Sequence, residues 1–444
     1  MTMRTLLFVG LLLLSNLLQA QTTPVEALDR ARRIGQQHLA GTHDSAYVEF
    51  EAALQRKLQR EQLQMIWKGL ETQWGPLEAV GSIELRSRSP LQLSLPLRFA
   101  RQQQRLLLEF DSANLVTSYL LQPLKEEDNW RYPAYGQRER YREFSMKVRT
   151  DTVVLPAILT LPLNCRRCPM VVMVHGFGPQ DKDGSLGPNK IFKDLAIGLA
   201  SRGIASLRYD KRSLAYGPEL MEDLRRLTVF TETIDDAVSA LALTRTIKEI
   251  DSSRIFLLGH GQGAMLAATI AAQSEVPVRG LLLLSASTQP MPDLIFNQYV
   301  HLAAENGFTT EERAVLREQE KIKQRALNPA LPFTLSQDSL PLQLPASYWR
   351  SWQRIDLGGS LLQLPLPVWV AHGTADYQVP PELALSMKQK LVGRPKTTYR
   401  SFKGLNHFFM PSTGAYGPKD YEKRNNVAEE VIRDMDLWIR EQLR

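Results

Sequence analysis

The sequence is poor in cysteine, in low-complexity segments and in clustered charge. Its 444 residues include only Cys165 and Cys168, which excludes a framework of several disulfides and a multi-cysteine zinc module. Glycine and proline number 26 each, too few for a collagen-like or disordered chain. The formal net charge of +7 is spread along the chain, with no block of like charge that would follow a phosphate backbone. We therefore expect no nucleic-acid partner.

Cofactor motifs are missing as well. Neither a P-loop nor a dinucleotide-binding fingerprint occurs, and the seven histidines lack metal-ligand spacing, so we expect no cofactor and no metal. A thioredoxin-like cysteine pair opens a helix after a strand, whereas Cys165 and Cys168 precede a strand-like run. The pair predicts a loop, with or without a local disulfide of the kind that an oxidising compartment allows.

Long apolar runs are absent after the first twenty residues. Residues 1–20 have a positive start at Arg4, an apolar run over residues 6–14 and Ala20 where cleavage is expected, which is the pattern of a signal peptide. No later stretch reaches the roughly 18 apolar residues of a membrane-spanning helix. We expect an exported protein, periplasmic or secreted, without a membrane span.

Changes in the period of the hydrophobic pattern divide the rest of the chain into segments. Apolar side chains at helical spacing over residues 24–76 predict two helices, the second running from Phe50 to Trp74. Alternation over residues 91–110 predicts an antiparallel meander. We assign residues 21–124 to a small α+β domain without a catalytic cluster. Residues 125–140, which are polar, form a linker.

From residue 141 onward, predicted strands alternate with amphipathic helices. This pattern predicts a domain over residues 141–444 with a mostly parallel sheet covered by helices on both faces. An insertion over about residues 289–363 is placed to form a lid over the carboxyl ends of the strands. The predicted strands are residues 153–161, 170–174, 204–208, 254–258, 281–284, 368–371 and 398–402.

Four loops at the carboxyl ends of these strands carry the residues suited to chemistry. The first follows residue 174 and offers the backbone N–H of Phe177 to a developing oxyanion. The second has glycines at positions 259, 261 and 263, so Gly261 stands at the tip of a strand–turn–helix elbow with the N–H of Gln262 behind it. The third and fourth carry Asp376 and His407, in the order acid then histidine.

Together these loops resemble the α/β-hydrolase superfamily. The closer resemblance is to exported bacterial esterase-like or serine-aminopeptidase-like hydrolases with a small N-terminal domain, and it rests on residues 175–190, 192–196 and 208–212. It implies an α/β-hydrolase fold with a helical lid, preceded by the small α+β domain. It also implies carboxylic-ester hydrolysis, with Asp376 and His407 catalytic. For residues 208–212 we expect a structural role in which Asp210 neutralises its basic neighbours.

One residue departs from the family's Gly-x-Ser-x-Gly elbow, because Gly261 stands where the serine belongs. Glycine offers no oxygen, so no acyl-enzyme can form there. His260 is expected to point away from the pocket, and nothing in the sequence places Ser285 or Ser287 against His407. Glycine also relieves about 1–3 kcal/mol of strain at an elbow tip. The sequence therefore predicts a vacated nucleophile position.

Several interpretations stay open at this point. The protein is either a non-catalytic relative that binds a small ester, peptide or lipid-like ligand under its lid, or a residual esterase. In the second case water attacks directly, with His407 as base and Asp376 as its partner. A third interpretation is that Gly261 was introduced in place of the serine in order to trap a bound substrate. Tyr348, Trp349 and Trp352 either line an apolar acyl pocket or pack as an aromatic cluster.

Overall fold

Two units make up the chain, Met1–Asp128 and Asn129–Arg444. No helix in the described parts of either unit is long and apolar enough to cross a membrane. The expected signal peptide lies outside the described residues. The structure is a computed structural model that describes residues 25–88, 90–100, 102–123, 130–217, 227–305, 307–414 and 416–444.

The first unit packs helices against a five-stranded antiparallel sheet. Because alternate side chains of a strand point to opposite faces, Leu93, Leu95 and Leu97 share one buried face, where they meet Ile34 and Trp67. The elements are α1 (Val25–Leu39), a 3₁₀ helix (His43–Glu49), α2 (Ala52–Lys57), α3 (Arg60–Trp74), β1 (Leu77–Val80), β2 (Glu84–Arg88), β3 (Leu91–Phe99), β4 (Gln103–Phe110) and β5 (Val116–Pro123).

The prediction of one helix from Phe50 to Trp74 is wrong. Leu58 has extended backbone angles, φ −129° and ψ 96°, and separates α2 from α3. Phe50 lies before α2 and forms an isolated bridge with Val116 of the sheet. The interruption lets Phe50 and Trp67 enter the same core, which a continuous helix would not do. Helical spacing alone does not reveal a single extended residue inside an apolar stripe.

The second unit is built on an eight-stranded sheet that is mostly parallel, which confirms the predicted fold class. The strands of this unit are β6 (Tyr141–Thr150), β7 (Val153–Pro162), β8 (Cys168–Val174), β11 (Ala205–Tyr209), β12 (Ile250–His260), β13 (Val278–Leu284), β14 (Val368–Gly373) and β15 (Thr397–Phe402), with a separate pair β9 (Ser185–Leu186) and β10 (Asn189–Lys190). In spatial order the strands of the large sheet are β15-β14-β13-β12-β8-β11-β7-β6, and β7 runs antiparallel to both of its neighbours.

Helices cover both faces of the large sheet. Adjacent residues Val171 and Val172 belong to different cores, as do Phe256 and Leu257, because the pleat sends them to opposite faces. The helices are α4 (Ile191–Ala200), α5 (Arg212–Ala215), a π-helix (Phe230–Ile234) leading into α6 (Asp235–Leu243), α7 (Gln262–Gln273), α8 (Met291–Glu305), α9 (Thr310–Leu327), α10 (Ala346–Trp352), α11 (Leu357–Gln363), α12 (Pro381–Lys390) and α13 (Glu429–Gln442), with 3₁₀ helices at Arg138–Arg140, Thr244–Thr246, Gln337–Ser339, Pro341–Gln343 and Pro418–Tyr421.

Two connections of this unit bear on the predictions. Helices α8 to α11 all lie between β13 and β14, where the sequence predicts the lid insertion. Cys165 and Cys168 are joined by a disulfide in the connection from β7 to β8, which is one of the two alternatives left open for that loop.

Candidate active site

The candidate nucleophile position is the sharp turn between β12 and α7. Strand β12 ends at His260, α7 begins at Gln262, and Gly261 between them has φ 51° and ψ −111°. The N–H of Gly261 donates to the carbonyl of Leu284, at the end of the neighbouring strand, at 2.9 Å. Because this positive φ strains any residue that has a Cβ, glycine is the relaxed residue at the tip.

The three elbow glycines differ in the space around them. A Cβ at Gly259 would lie 2.3 Å from the backbone of Gly263, and a Cβ at Gly263 would lie 2.3 Å from the carbonyl oxygen of Val174. Both positions therefore require glycine. A Cβ at Gly261 would meet the Nε2 atom of His407 first, at 3.3 Å. At this distance the His407 ring has to shift by a few tenths of an ångström for a Cβ to fit, and the new side chain would face that ring.

His407 and Asp376 form a buried pair next to this tip. The Nδ1–H of His407 donates to Asp376 Oδ2 at 2.8 Å, and Asp376 Oδ1 accepts from the N–H groups of Gln378 and Val379 at 2.9 Å each. Burial alone would raise the pKa of Asp376, but the His407 ring and the hydrogen bonds from the Val379 N–H and the Ser285 side chain outweigh it and hold the pKa below its ordinary value. Because Nδ1 carries the proton in the neutral ring, Nε2 presents its lone pair toward Gly261.

Two backbone donors line the same cavity as Gly261 and His407. This cavity has a volume of about 370 Å³, and Phe177 and Gln262 both contribute to its wall. Within the described ranges, neither of their N–H groups donates to a protein acceptor. For Gln262 this follows from its place as the first residue of α7, where the helix supplies no partner. The two donors are available to an oxygen that develops negative charge.

The comparison with known proteins addresses the family of the chain. The model of the alpha/beta hydrolase family matches residues 171–415, more than half of the chain. The chain belongs to the alpha/beta hydrolase family.

Named relatives of this hydrolase include esterases. It is 29% identical over 416 residues to Esterase EstD of Thermotoga maritima, a match that covers 93% of this chain and 95% of that protein. Est1E from Butyrivibrio proteoclasticus is 18% identical with a TM-score of 0.44, covering 67% of this chain and 98% of the other. The esterase domain of a Rhodothermus marinus protein is 16% identical with a TM-score of 0.42, covering 68% and 98%.

Two serine hydroxyls lie near the elbow, and the side chain of Ser285 contacts the acid–histidine pair through a hydrogen bond to Asp376. Ser285 Oγ donates to the backbone oxygen of His407 at 3.4 Å, and Ser287 Oγ accepts from the N–H of Gln289 at 3.0 Å. The prediction that His260 points away from the pocket is wrong. Its ring centre lies 4.6 Å from that of His407, because its Nε2–H donates to the His407 carbonyl at 2.9 Å. Burial, together with the His407 ring, lowers the pKa of His260 to about 3.

His175 is the first residue of the loop that carries Phe177, and its side chain holds that loop together. Its Nε2–H donates to the carbonyl of Asp181 across the loop at 3.1 Å. Burial, reinforced by the charge of Lys211, lowers the pKa of His175 to about 3, so the ring stays neutral. In the part of the chain that the structure describes, no group of three His, Cys, Asp or Glu side chains could hold a metal ion.

The positive charges of residues 208–212, at the end of β11, are neutralised by other carboxylates than the one predicted. Asp210 accepts from Lys182 Nζ at 3.1 Å and does not neutralise its neighbours, so that prediction is wrong. The physical reason is that each basic side chain leaves the strand end in its own direction and meets a separate carboxylate. The pairs are Arg208 with Glu143 (2.8 Å) and Asp183 (3.0 Å), Lys211 with Glu232 (3.1 Å), and Arg212 with Asp236 (2.6 Å).

A larger cavity of about 610 Å³ adjoins the elbow on the side of the lid. Met265 of α7 and Met291 of α8 line both this cavity and the one at Gly261. Trp349 and Trp352 lie in the wall of the larger cavity, whereas Tyr348 turns into a buried polar cluster. The aromatic segment of the lid therefore both lines a cavity and packs inside the protein.

The buried polar cluster beneath the two donors was not predicted from the sequence. Lys211, Glu232 and Tyr348 meet there around the side chain of Gln262. The one sequence signal for it is a lysine placed directly after a buried strand, at a point where charge is costly unless paired. Glu232 carries no comparable signal, since its partners are distant in sequence.

Proposed function

We propose that this protein binds carboxylic esters at Gly261 and His407 and hydrolyses them slowly by direct attack of water, without an acyl-enzyme. The observation that carries the proposal is the placement of His407 Nε2, which lies 3.3 Å from the Cβ position of Gly261 while Nδ1 is held by Asp376. The site has a general base aimed at the nucleophile position, and glycine there supplies no nucleophile. Similarity to Esterase EstD supports an ester as the substrate class.

The proposed reaction has two steps, formation of a tetrahedral intermediate and its collapse. A water molecule beside Gly261 gives a proton to His407 Nε2, and its oxygen forms a bond to the ester carbonyl carbon. The carbonyl oxygen becomes an oxyanion held by the N–H groups of Phe177 and Gln262. The tetrahedral intermediate then collapses as its bond to the alkoxy oxygen breaks, and His407 Nε2–H returns the proton to that oxygen. The products are a carboxylic acid and an alcohol.

The rate is low because the water has to be ordered at each turnover, whereas a serine hydroxyl is already in place. In serine hydrolases that lose their nucleophile, the oxyanion hole and substrate binding still retain roughly 10³–10⁴-fold acceleration over water. The present site keeps those parts and, in addition, keeps its base.

The acyl chain of the ester extends past Met265 and Met291 into the larger cavity. Apolar side chains such as Trp349, Ile355 and Leu357 form much of its wall, and the unbranched methionine side chains can move aside. A chain buried there gains the usual hydrophobic free energy per methylene.

We also propose that the mature protein is exported. The pattern of residues 1–20 supports a signal peptide. The disulfide between Cys165 and Cys168 supports an oxidising compartment.

The proposal is tested by following hydrolysis and covalent state together. The mature protein is mixed with p-nitrophenyl butyrate, product release is recorded from the first turnover, and samples are taken for intact mass spectrometry. We expect slow steady release without a burst, an unchanged protein mass, and no labelling by a serine-directed fluorophosphonate. A stoichiometric adduct, for example on Ser285 or Ser287, would contradict the proposal. Ester binding without any hydrolysis would leave a ligand-binding protein instead.

A further inference from the structure

Lys211 is a buried lysine whose three N–H donors are all in use. Its Nζ atom lies 2.9 Å from Gln262 Oε1, 3.0 Å from the carbonyl oxygen of Gly176 and 3.1 Å from Glu232 Oε1. An ammonium group has three donors, so none is left over. Burial lowers the pKa of Lys211, and Glu232 opposes this effect. The contact with Glu232 compensates the charge, and the other two contacts reach the loops that carry the oxyanion donors.

The contact with Gly176 fixes the direction of the Phe177 N–H. The carbonyl of Gly176 and the N–H of Phe177 belong to one planar trans peptide, so they point in opposite directions. A donor that holds the oxygen on one side aims the N–H toward the other side. Lys211 ties the loop a second time, because its backbone N–H donates to the carbonyl of Gln180 at 2.9 Å.

The contact with Gln262 fixes the second donor residue. Its Oε1 accepts from Lys211, and its Nε2 donates to the Tyr348 hydroxyl at 2.9 Å. That hydroxyl in turn donates to Glu232 Oε2 at 3.1 Å. With both ends of its side-chain amide held, Gln262 keeps its backbone N–H in a fixed place at the start of α7.

We propose that Lys211 is a positioning residue for both oxyanion donors, acting through the Gly176–Phe177 peptide and the side chain of Gln262. It also polarises that peptide, since a hydrogen bond to the carbonyl strengthens the N–H as a donor. Tyr348 connects this cluster to α10 of the lid. The proposal rests on the proposed function, because it requires the ester carbonyl oxygen to lie between the two donors.

The test observes the carbonyl directly, in a ligand that does not react. A methyl alkyl ketone labelled with ¹³C at its carbonyl is bound to the natural protein, and isotope-edited infrared spectra record the stretching band. We expect the bound band to lie at lower frequency than in alkane solvent, because the two N–H groups polarise the carbonyl. Lys211→Met/Glu232→Gln removes the ammonium without leaving an unpaired buried charge. In this variant we expect the band to return most of the way to its alkane position while the ketone still binds.

The neighbouring buried pair supplies the matched control. Arg212→Met/Asp236→Asn also removes an ion pair, but one that contacts neither donor residue, so the band should stay where it is in the natural protein. If Lys211→Met/Glu232→Gln does not fold, Lys211→Leu/Glu232→Gln carries the same expectation, because leucine has no donor for the Gly176 carbonyl or for Gln262 Oε1.

The outcomes separate this proposal from the proposed function. An unshifted band in the natural protein would contradict the proposed function, since the carbonyl would not lie at the donors. A shifted band that stays shifted in both Lys211 variants would overturn the role of Lys211 alone. In a Gly261→Ser background, the same Lys211 variants should lower kcat by about 10- to 100-fold with little change in KM. An unchanged kcat there would also overturn the proposal.

Discussion

At the scale of single residues, the reason for a glycine at position 261 differs from the reason at positions 259 and 263 of the elbow. Gly259 and Gly263 are fixed by backbone contacts that leave no space for a Cβ. Gly261 is favoured by its φ of 51°, and a Cβ there would press on His407 Nε2 at 3.3 Å, a side-chain contact that a shift of a few tenths of an ångström relieves. The chemistry of the site therefore depends on a position that can accept other residues.

This difference predicts unequal stability losses. Gly261→Ala should lower the free energy of unfolding by about 1–3 kcal/mol, because it adds backbone strain and a close contact with the His407 side chain, which can shift slightly. Gly263→Ala should cost more than about 4 kcal/mol or prevent folding, because its Cβ would press on the carbonyl of Val174. Urea denaturation of the two variants and the natural protein measures the difference. Equal losses would contradict the account of the elbow.

The acid–histidine pair gives a second prediction at the residue scale. His407→Ala should lower the proposed slow ester hydrolysis by about 10²–10⁴-fold, the usual contribution of a general base. Asp376→Asn should lower it as well, because the amide does not hold Nδ1–H as the carboxylate does. The pKa of Asp376 lies below its ordinary value, so its contribution should persist into moderately acidic solution. Initial rates with p-nitrophenyl butyrate from pH 5 to 8 measure these effects.

The control for the histidine variant is His301→Ala, which changes a histidine of α8 that does not line either cavity near the elbow. Its rate should equal that of the natural protein. Hydrolysis that is indifferent to both His407→Ala and Asp376→Asn would show that another site or a contaminant is responsible.

At the scale of elements, the elbow helix and the lid together define the space for substrate. Met265 lies one turn into α7, with its N–H donating to the Gly261 carbonyl at 3.1 Å, and Met291 is the first residue of α8. Both residues line the cavity at Gly261 and the larger cavity under the lid. Access from the first cavity to the larger one is therefore expected to pass these two flexible side chains.

Met265→Trp should block this access. We expect 2-dodecanone to bind at least tenfold more weakly, because several methylenes lose about 0.8 kcal/mol each. Binding of 2-butanone, which fits beside Gly261 alone, should change little. Calorimetric titration measures both, and Met65→Trp, at an exposed position of α3, serves as the control. Equal weakening for both ketones would exclude the larger cavity as the place of the chain.

The elements also show what could be predicted from the sequence. The central strands were predictable because their buried runs are short, apolar and bounded by turns, as in β8 and β14. Strand β6 is missing from the predictions because, as a charged edge strand, it has only two buried residues. The break at Leu58 and the pairing of Lys211 with Glu232 depend on contacts between distant parts of the chain. Neither leaves a local pattern.

At the scale of the whole second unit, the parallel strands of the sheet place the site residues close to one another. Strands β8, β12, β14 and β15 end at one edge of the sheet, and the loops that follow them carry Phe177, Gly261, Asp376 and His407. Parallel strands place their carboxyl ends together, so residues far apart in sequence meet at one cavity. This is why the predicted site residues could be assembled from the sequence before any distance was known.

Asp194 of α4 forms hydrogen bonds with distant segments of this unit. Its raised pKa makes the free energy of unfolding depend on pH. Its carboxylate accepts from Trp130 Nε1 at 2.8 Å, Asn426 Nδ2 at 3.0 Å and the N–H of Val427 at 2.9 Å. Burial outweighs these donors and raises the pKa of Asp194 from 3.8 to about 7. Because the folded protein holds this proton more tightly than the unfolded chain, the stability contribution is present below pH 4 and is lost as pH rises through 7.

The natural protein should therefore lose up to ~4 kcal/mol of unfolding free energy relative to Asp194→Asn between pH 4 and pH 7. Denaturation curves of both proteins across this range measure the difference, in which other titrating groups cancel. A difference that does not vary with pH would contradict the raised pKa.

The central claim is that the site keeps every part needed for acyl transfer except the nucleophile. The most direct test is pre-steady-state hydrolysis of p-nitrophenyl butyrate by Gly261→Ser, with Gly261→Ser/His407→Ala as the control. We predict a burst approaching one product per protein molecule and covalent fluorophosphonate labelling at position 261, both absent from the natural protein and the burst absent from the control. A folded Gly261→Ser protein with neither burst nor labelling would contradict the claim, because it would show that the site has lost more than a hydroxyl group.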